Sequence, residues 1–131
     1  MASIFTRIVA GEIPCYKIAE DDRFISFLDI RPLHEGHALA VPKAEVDNIF
    51  DLDDGLLTDL MLFAKRVANA QRAVISCQRV GVLVIGEEVP HAHIHLIPFD
   101  KASQMSFVAS KPLSFSPDEM REIAARIAAA M

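Results

Sequence analysis

The chain has 131 residues, of which 52% are hydrophobic and 24% charged, and its formal net charge is −5 at pH 7. That length fits one compact domain with its own core, and that composition argues against a disordered chain. The acidic balance offers no basic surface for nucleic acid, and no apolar run approaches the roughly 20 residues of a membrane-spanning helix. We therefore expect a single domain over residues 1–131, with neither nucleic acid nor a membrane as partner.

The two cysteines and the first residues indicate where the protein acts. Cys15 and Cys77 lie 62 positions apart and are not part of a C-x-x-C motif. We interpret them as free thiols of a reducing compartment. The N-terminus has no basic segment followed by an apolar stretch, so it does not resemble a signal peptide. These observations predict a cytoplasmic protein.

The hydrophobic pattern predicts strands, a helix, further strands and a final helix. Five segments have the alternation or the short apolar run of β-strands, at residues 16–20, 23–29, 37–41, 80–85 and 91–97. Apolar residues recur at helical spacing over residues 53–74, which predicts one long amphipathic helix. A second helix is predicted at about residues 116–130, with Ser116 as its N-cap and Pro117 in its first turn. This order favours the α+β class with an antiparallel sheet.

Three of the five histidines lie in the last predicted strand, at positions 91, 93 and 95. Because side chains alternate along a strand, all three are expected on one face. A zinc site is one interpretation, but positions two apart are separated by about 6.6 Å, so one ion would gather all three only by bending the strand. The favoured interpretation is a row of imidazoles along an anionic substrate, in which the central one attacks and its neighbours orient it and donate protons.

The segment around these histidines, HAHIHLIP at residues 91–98, resembles the histidine triad motif of the HIT superfamily. Three further segments resemble signatures of its Hint branch and occur in the expected order: IFTRIVAGEIP at residues 4–14, FLDIRP at 27–32 and GHALAVPK at 36–43. The resemblance covers roughly residues 3–99, with the remainder as a C-terminal extension. It implies a HIT-like fold with a five-stranded sheet. It also implies a hydrolase or transferase that cleaves purine nucleoside phosphoramidates or dinucleoside polyphosphates.

The resemblance assigns a role to each motif residue. His93 would be the nucleophile that forms a covalent nucleotidyl-histidine, and His91 would hold it in orientation. His95 would contact the phosphate, with His37 nearby, and Asp29 would accept hydrogen bonds from the ribose hydroxyls. Six apolar residues would enclose the base: Ile4, Phe5, Ile8, Ile13, Phe27 and Ile30. Taken singly, each of the six suits core packing as well as base contact.

The segment before the triad departs from the branch, which commonly places an Asn, a Gly-rich turn and a Ser there. This chain has IGEEVP at residues 85–90, with Glu88 at the Ser position and Glu87 beside it. Two carboxylates near a phosphate site should repel the substrate. The departure leaves the predicted fold intact but bears on the rate and on the preferred leaving group.

Two functions of different classes follow. The favoured one is hydrolysis of an AMP-like purine nucleotide conjugate through His93, without a cofactor or a metal. The alternative is a nucleotide-binding regulatory protein with little turnover. The resemblance also implies a homodimer, formed through the long helix and the fourth strand. The helix supports this, because it carries more apolar residues than one sheet contact requires.

Overall fold

A five-stranded antiparallel sheet is the framework of the protein. The computed structural model describes residues 2–107 and 111–131. Its strands are β1 (Lys17–Glu20), β2 (Phe24–Leu28), β3 (Ala38–Pro42), β4 (Arg79–Leu83) and β5 (Ile94–Phe99), and its α-helices are α1 (Ile4–Val9), α2 (Asp54–Val74) and α3 (Pro117–Ala129). Short 3-10 turns occupy Ile49–Asp51 and Ala102–Met105. The strands lie in the order β1-β2-β3-β5-β4, which places β5 inside the sheet and β4 at an edge.

The two long helices begin at side chains that satisfy their free N–H groups. Asp53 accepts a hydrogen bond from the Leu56 amide at the start of α2, and Ser116 and Glu119 form a reciprocal capping box at the start of α3. The α+β prediction and the predicted helices at 53–74 and about 116–130 are therefore confirmed. Within the described residues, no helix has the length and apolar character to cross a membrane.

The two faces of the sheet are covered differently. On one face, α2 and α3 pack against a large core that includes Ala38, Ala40, Ile94 and Leu96. On the other face, a small cluster around Phe27, Leu39 and Val41 packs mainly against Phe5 of the short helix α1. The side chain of Gln71 in α2 donates to the carbonyls of Gly36 and Leu96, which joins the helix to the neighbours of His37 and His95 in the chain. The thinly covered α1 face is therefore where a ligand can reach the sheet.

Two local expectations differ from the structure. The last strand begins at Ile94 instead of residue 91, because the amides of His91 and Ala92 bond to the carbonyls of Val89 and Val46 and turn the chain away from the sheet. It also continues through Pro98 to Phe99. Strand β3 pairs with β5 only as far as Leu96, so Pro98 has one strand neighbour, a position where proline is tolerated.

Candidate active site

A cleft of about 420 Å³ opens on the α1 face of the sheet. All six of the apolar residues predicted to enclose a base line it: Ile4, Phe5, Ile8, Ile13, Phe27 and Ile30. Phe5 and Phe27 are buried and pack edge to face, 5.6 Å between ring centroids. Ile4 and Ile30, by contrast, are 46% and 75% exposed, which core packing does not explain. The cleft therefore presents apolar surface to an incoming ligand.

His93 lies in the cleft with one ring nitrogen held by the backbone. Its Nδ1 is 2.7 Å from the carbonyl oxygen of His91. A carbonyl can only accept, so Nδ1 carries the proton, and Nε2 of the neutral ring has a free electron pair. Burial lowers the pKa of His93 and outweighs the bond to the His91 carbonyl, which raises it. His93 is thus a neutral, oriented imidazole at neutral pH.

The side chain of His91 does not line the cleft; it is fully buried beside it. Its Nε2 is 2.7 Å from the Pro42 carbonyl oxygen, so Nε2 carries the proton and donates. Its Nδ1 then accepts from the hydroxyl of Ser3, 2.7 Å away. His91 therefore contacts His93 through its backbone, and its ring is held by two partners of its own.

His37 and His95 form a second chain of hydrogen bonds on the other side of His93. The Leu33 amide donates to His37 Nδ1 at 3.1 Å, so the His37 proton lies on Nε2, which is 3.0 Å from His95 Nδ1. His95 Nδ1 therefore accepts, and the proton of its neutral ring lies on Nε2. Burial lowers the pKa of His37 to about 4 and that of His95 to about 3. His95, but not the fully buried His37, lines the cleft.

Asp29 lies beside His37 and His95. One of its carboxylate oxygens accepts from the Arg31 amide at 2.8 Å, and the other is 3.6 Å from His37 Nε2 and 3.8 Å from His95 Nδ1. Asp29, His37 and His95 are close enough together to surround a metal ion. The hydrogen bonds do not suit one, because His37 Nε2 would need a free electron pair while Nδ1 already accepts from Leu33. A half-buried carboxylate with unused acceptor positions instead suits hydroxyl groups.

Glu87 and Glu88 line the cleft at its exposed rim, so the acidic segment singled out from the sequence does face the site. Sequence reasoning missed two other residues. Phe107 packs its ring edge-on to His95, with 4.9 Å between centroids, and lines the cleft from beyond the motif region, where no sequence signal marks it. Ser3 bonds to His91, and its position as the N-cap of α1, which accepts from the Thr6 amide, could have pointed to it.

Comparison with known proteins identifies the family of the chain. The protein-family model of the HIT domain matches residues 10–102 of this chain. The chain belongs to the HIT family. The adenosine 5'-monophosphoramidase HNT1 of Saccharomyces cerevisiae is 41% identical over 98 residues, covering 74% of this chain and 62% of that protein. The adenosine 5'-monophosphoramidase hnt1 of Schizosaccharomyces pombe is 33% identical and covers 97% of this chain and 96% of its own length.

Solved structures of HIT proteins show the same fold. A Hit-like protein from Bartonella henselae superposes with a TM-score of 0.85 at 27% identity, over 98% of this chain and 96% of that one. A zinc-bound histidine triad protein from Mycobacterium smegmatis gives 0.82 at 27% identity, over 99% of this chain and 93% of that one. These likenesses establish the HIT fold predicted from the motifs.

Proposed function

We propose that this protein is a hydrolase that cleaves purine nucleoside phosphoramidates or dinucleoside polyphosphates through a covalent nucleotidyl-histidine at His93. The observation that carries the proposal is the bond from His93 Nδ1 to the His91 carbonyl, which leaves Nε2 unprotonated in the cleft. The two yeast relatives named as AMP phosphoramidases support the same reaction class.

The reaction starts with the proton of His93 on Nδ1 and the proton of His95 on Nε2, as the hydrogen bonds of the two rings require. His93 Nε2 attacks the α-phosphorus, and the bond from phosphorus to the leaving group breaks as the new bond to nitrogen forms. The His93 ring becomes cationic, and the His91 carbonyl stabilises its Nδ1 proton. His95, which is neutral, donates a hydrogen bond from its Nε2–H to a phosphate oxygen. A phosphoramidate reacts with a proton on its bridging nitrogen and releases a neutral amine, whereas a polyphosphate leaves as the anion. Water then attacks phosphorus and the bond to His93 Nε2 breaks, which releases the nucleotide and frees His93, while the proton of the water passes to the solvent.

Nucleotide binding is assigned to the remaining cleft residues. The carboxylate of Asp29 accepts from the ribose hydroxyls through its free acceptor positions. The exposed apolar surface of Ile4 and Ile30 covers the base, and Phe5 and Phe27 support it from below. Four of the six apolar residues therefore divide between core packing and base contact, and the partly buried Ile8 and Ile13 also line the cleft.

The negative charges of Glu87 and Glu88 affect which leaving group the site accepts. A dinucleoside polyphosphate would place additional phosphate charges near two carboxylates at the rim. A phosphoramidate releases an amine, which adds no negative charge. The charge of the rim therefore favours the phosphoramidate among the two substrate classes.

The proposed assembly is a homodimer in the cytoplasm, each protomer a single domain acting without a cofactor. Strand β4 is a sheet edge with an exposed Val82, and α2 exposes Met61 and Leu62. An apolar edge strand is usually covered in a stable protein. Much of the apolar excess of α2 lies inside its own core, where Leu60, Phe63 and Val67 are buried. The exposed side chains of Met61 and Leu62, together with the edge strand β4, support the dimer.

The alternative, a nucleotide-binding regulatory protein with little turnover, is favoured by the same two glutamates, which weaken attack on an anionic phosphate.

The variant His93→Ala separates the two functions when turnover of an adenosine phosphoramidate and binding of AMP are measured together. We expect turnover to fall by roughly a thousandfold or more and AMP binding to persist, because the ring supplies the attacking nitrogen. A variant that keeps more than about a tenth of the activity would contradict the nucleophilic role. A wild-type protein that binds AMP without turnover would establish the alternative.

A further inference from the structure

Glu45, in the loop after β3, holds the beginning of α1 although it lies outside the cleft. Its Oε1 accepts from the backbone amide of Ser3 and from the hydroxyl of Thr6, at 2.6 Å each. These two bonds lower the pKa of Glu45, so the carboxylate is charged at neutral pH. One carboxylate oxygen thus joins two positions in the first turn of a six-residue helix.

The same turn of α1 reaches His91. The Ser3 hydroxyl accepts from the Thr6 amide at 3.1 Å and donates its proton to His91 Nδ1. Because a hydroxyl has one proton, the direction of this bond follows from the proton on His91 Nε2, which points to the Pro42 carbonyl. Glu45 and Pro42 lie three positions apart in the chain, so one segment reaches the ring of His91 directly through Pro42 and indirectly through Glu45 and Ser3.

The connection continues to the attacking group in two ways. The backbone carbonyl of His91 accepts from His93 Nδ1, so a displacement of His91 displaces the acceptor that orients His93. Phe5 of α1 also packs its ring against both imidazoles, with centroids 5.8 Å from His91 and 5.0 Å from His93. The position of α1 therefore affects the orientation of His93 directly and through His91.

We infer that Glu45 is a positioning residue for His93: it holds α1 against His91 through Ser3 and Thr6, and so keeps His93 Nε2 directed into the cleft. The expected loss of kcat rests on the proposed function of His93. The expected loss of orientation of the His93 ring does not. A small displacement of an attacking atom is costly, since about 1 Å can reduce a rate a hundredfold.

The kinetic test compares two variants of Glu45 with one control. Glu45→Ala removes the acceptor, and we expect kcat to fall about tenfold or more, with a smaller change in KM. Glu45→Gln keeps an amide oxygen that accepts both bonds, and kcat should stay within about threefold of the wild type. Glu12→Ala is the matched control, because Glu12 is an exposed carboxylate that contacts α1 through Arg7 at 3.3 Å and is not part of the cleft. It should leave kcat unchanged.

A spectroscopic test works whether or not the protein turns over. In the wild type, the ring ¹⁵N shifts should show His93 protonated at Nδ1 and His91 protonated at Nε2. In Glu45→Ala both rings should move towards the averaged shifts of freely exchanging imidazoles, whereas Glu45→Gln and Glu12→Ala should keep the wild-type shifts. Unchanged ring ¹⁵N shifts in Glu45→Ala, or the same change of these shifts in Glu12→Ala, would overturn the inference. Wild-type shifts as expected in a protein without turnover would refute the proposed function alone.

Discussion

The position of the proton on His93 and on His37 follows from a neighbouring backbone group that can only accept or only donate. The His91 carbonyl fixes the proton of His93 on Nδ1, and the Leu33 amide fixes that of His37 on Nε2. Burial keeps the rings neutral. Backbone groups therefore determine which nitrogen of each ring carries the proton, and a side chain such as Glu45 affects this only through the position of those groups.

Glu88 is the residue whose charge opposes the proposed reaction. We expect Glu88→Ser to raise kcat/KM for an adenosine phosphoramidate by about two- to fivefold, because an exposed carboxylate repels phosphate modestly. High salt should reduce the difference between the variant and the wild type, since it screens exposed charges. Glu122→Ser, which removes an exposed carboxylate from α3, is the control. An equal rate for both variants at low salt would mean that the charge of Glu88 does not act on the substrate.

The sequence was sufficient to predict the two long helices and the five strands, but not the short helix α1. The helical spacing over residues 53–74 and the cap at Ser116 predicted α2 and α3, because long amphipathic periods and caps are local signals. Helix α1 has six residues and was not predicted, since its N-cap Ser3 is held by Glu45 and His91, which are distant from it in the chain. The placement of His37 behind His95 likewise depends on the pairing of β3 with β5. The cleft residues were found from the motif resemblance, not from their periodicity.

The exposed edge strand leads to a prediction about assembly. We expect the protein to sediment at about twice the chain mass of 14.4 kDa at micromolar concentration. Val82→Arg should shift it towards the monomer, because the arginine would place a charge on the exposed apolar edge of β4. Arg121→Glu, a charge change on α3, should leave the mass unaltered. A wild-type protein that sediments near 14.4 kDa would rule out the dimer.

At the scale of the whole molecule, the buried histidines connect the active site to stability. Burial lowers the pKa of His37 to about 4 and of His95 to about 3, whereas in the unfolded chain both titrate near 6.5. Between those values the unfolded state binds more protons, so protonation favours unfolding and the free energy of unfolding falls as the pH falls. The groups that make the site neutral thus make the fold sensitive to acid.

The consequence is measurable by urea unfolding. From pH 7 to pH 5 we expect the free energy of unfolding to fall by about 2 kcal/mol for each of the two histidines. In the variant His37→Gln, the fall should be smaller by about 2 kcal/mol, because one of the titrating groups is gone. The same free energy of unfolding at both pH values would show that these rings are not buried in the neutral form.

Trapping the covalent bond between His93 and the nucleotide is the sharpest test of the proposed reaction. The wild-type protein is mixed with an adenosine phosphoramidate, quenched within the first turnover at a pH that preserves phosphohistidine-type bonds, and digested for mass spectrometry. We expect an adenylate-sized increase in mass on the peptide that contains His93, assigned by fragmentation to that residue, and its absence in His93→Ala. Turnover without an adduct on any histidine, or an adduct on His95 instead, would show that His93 is not the nucleophile.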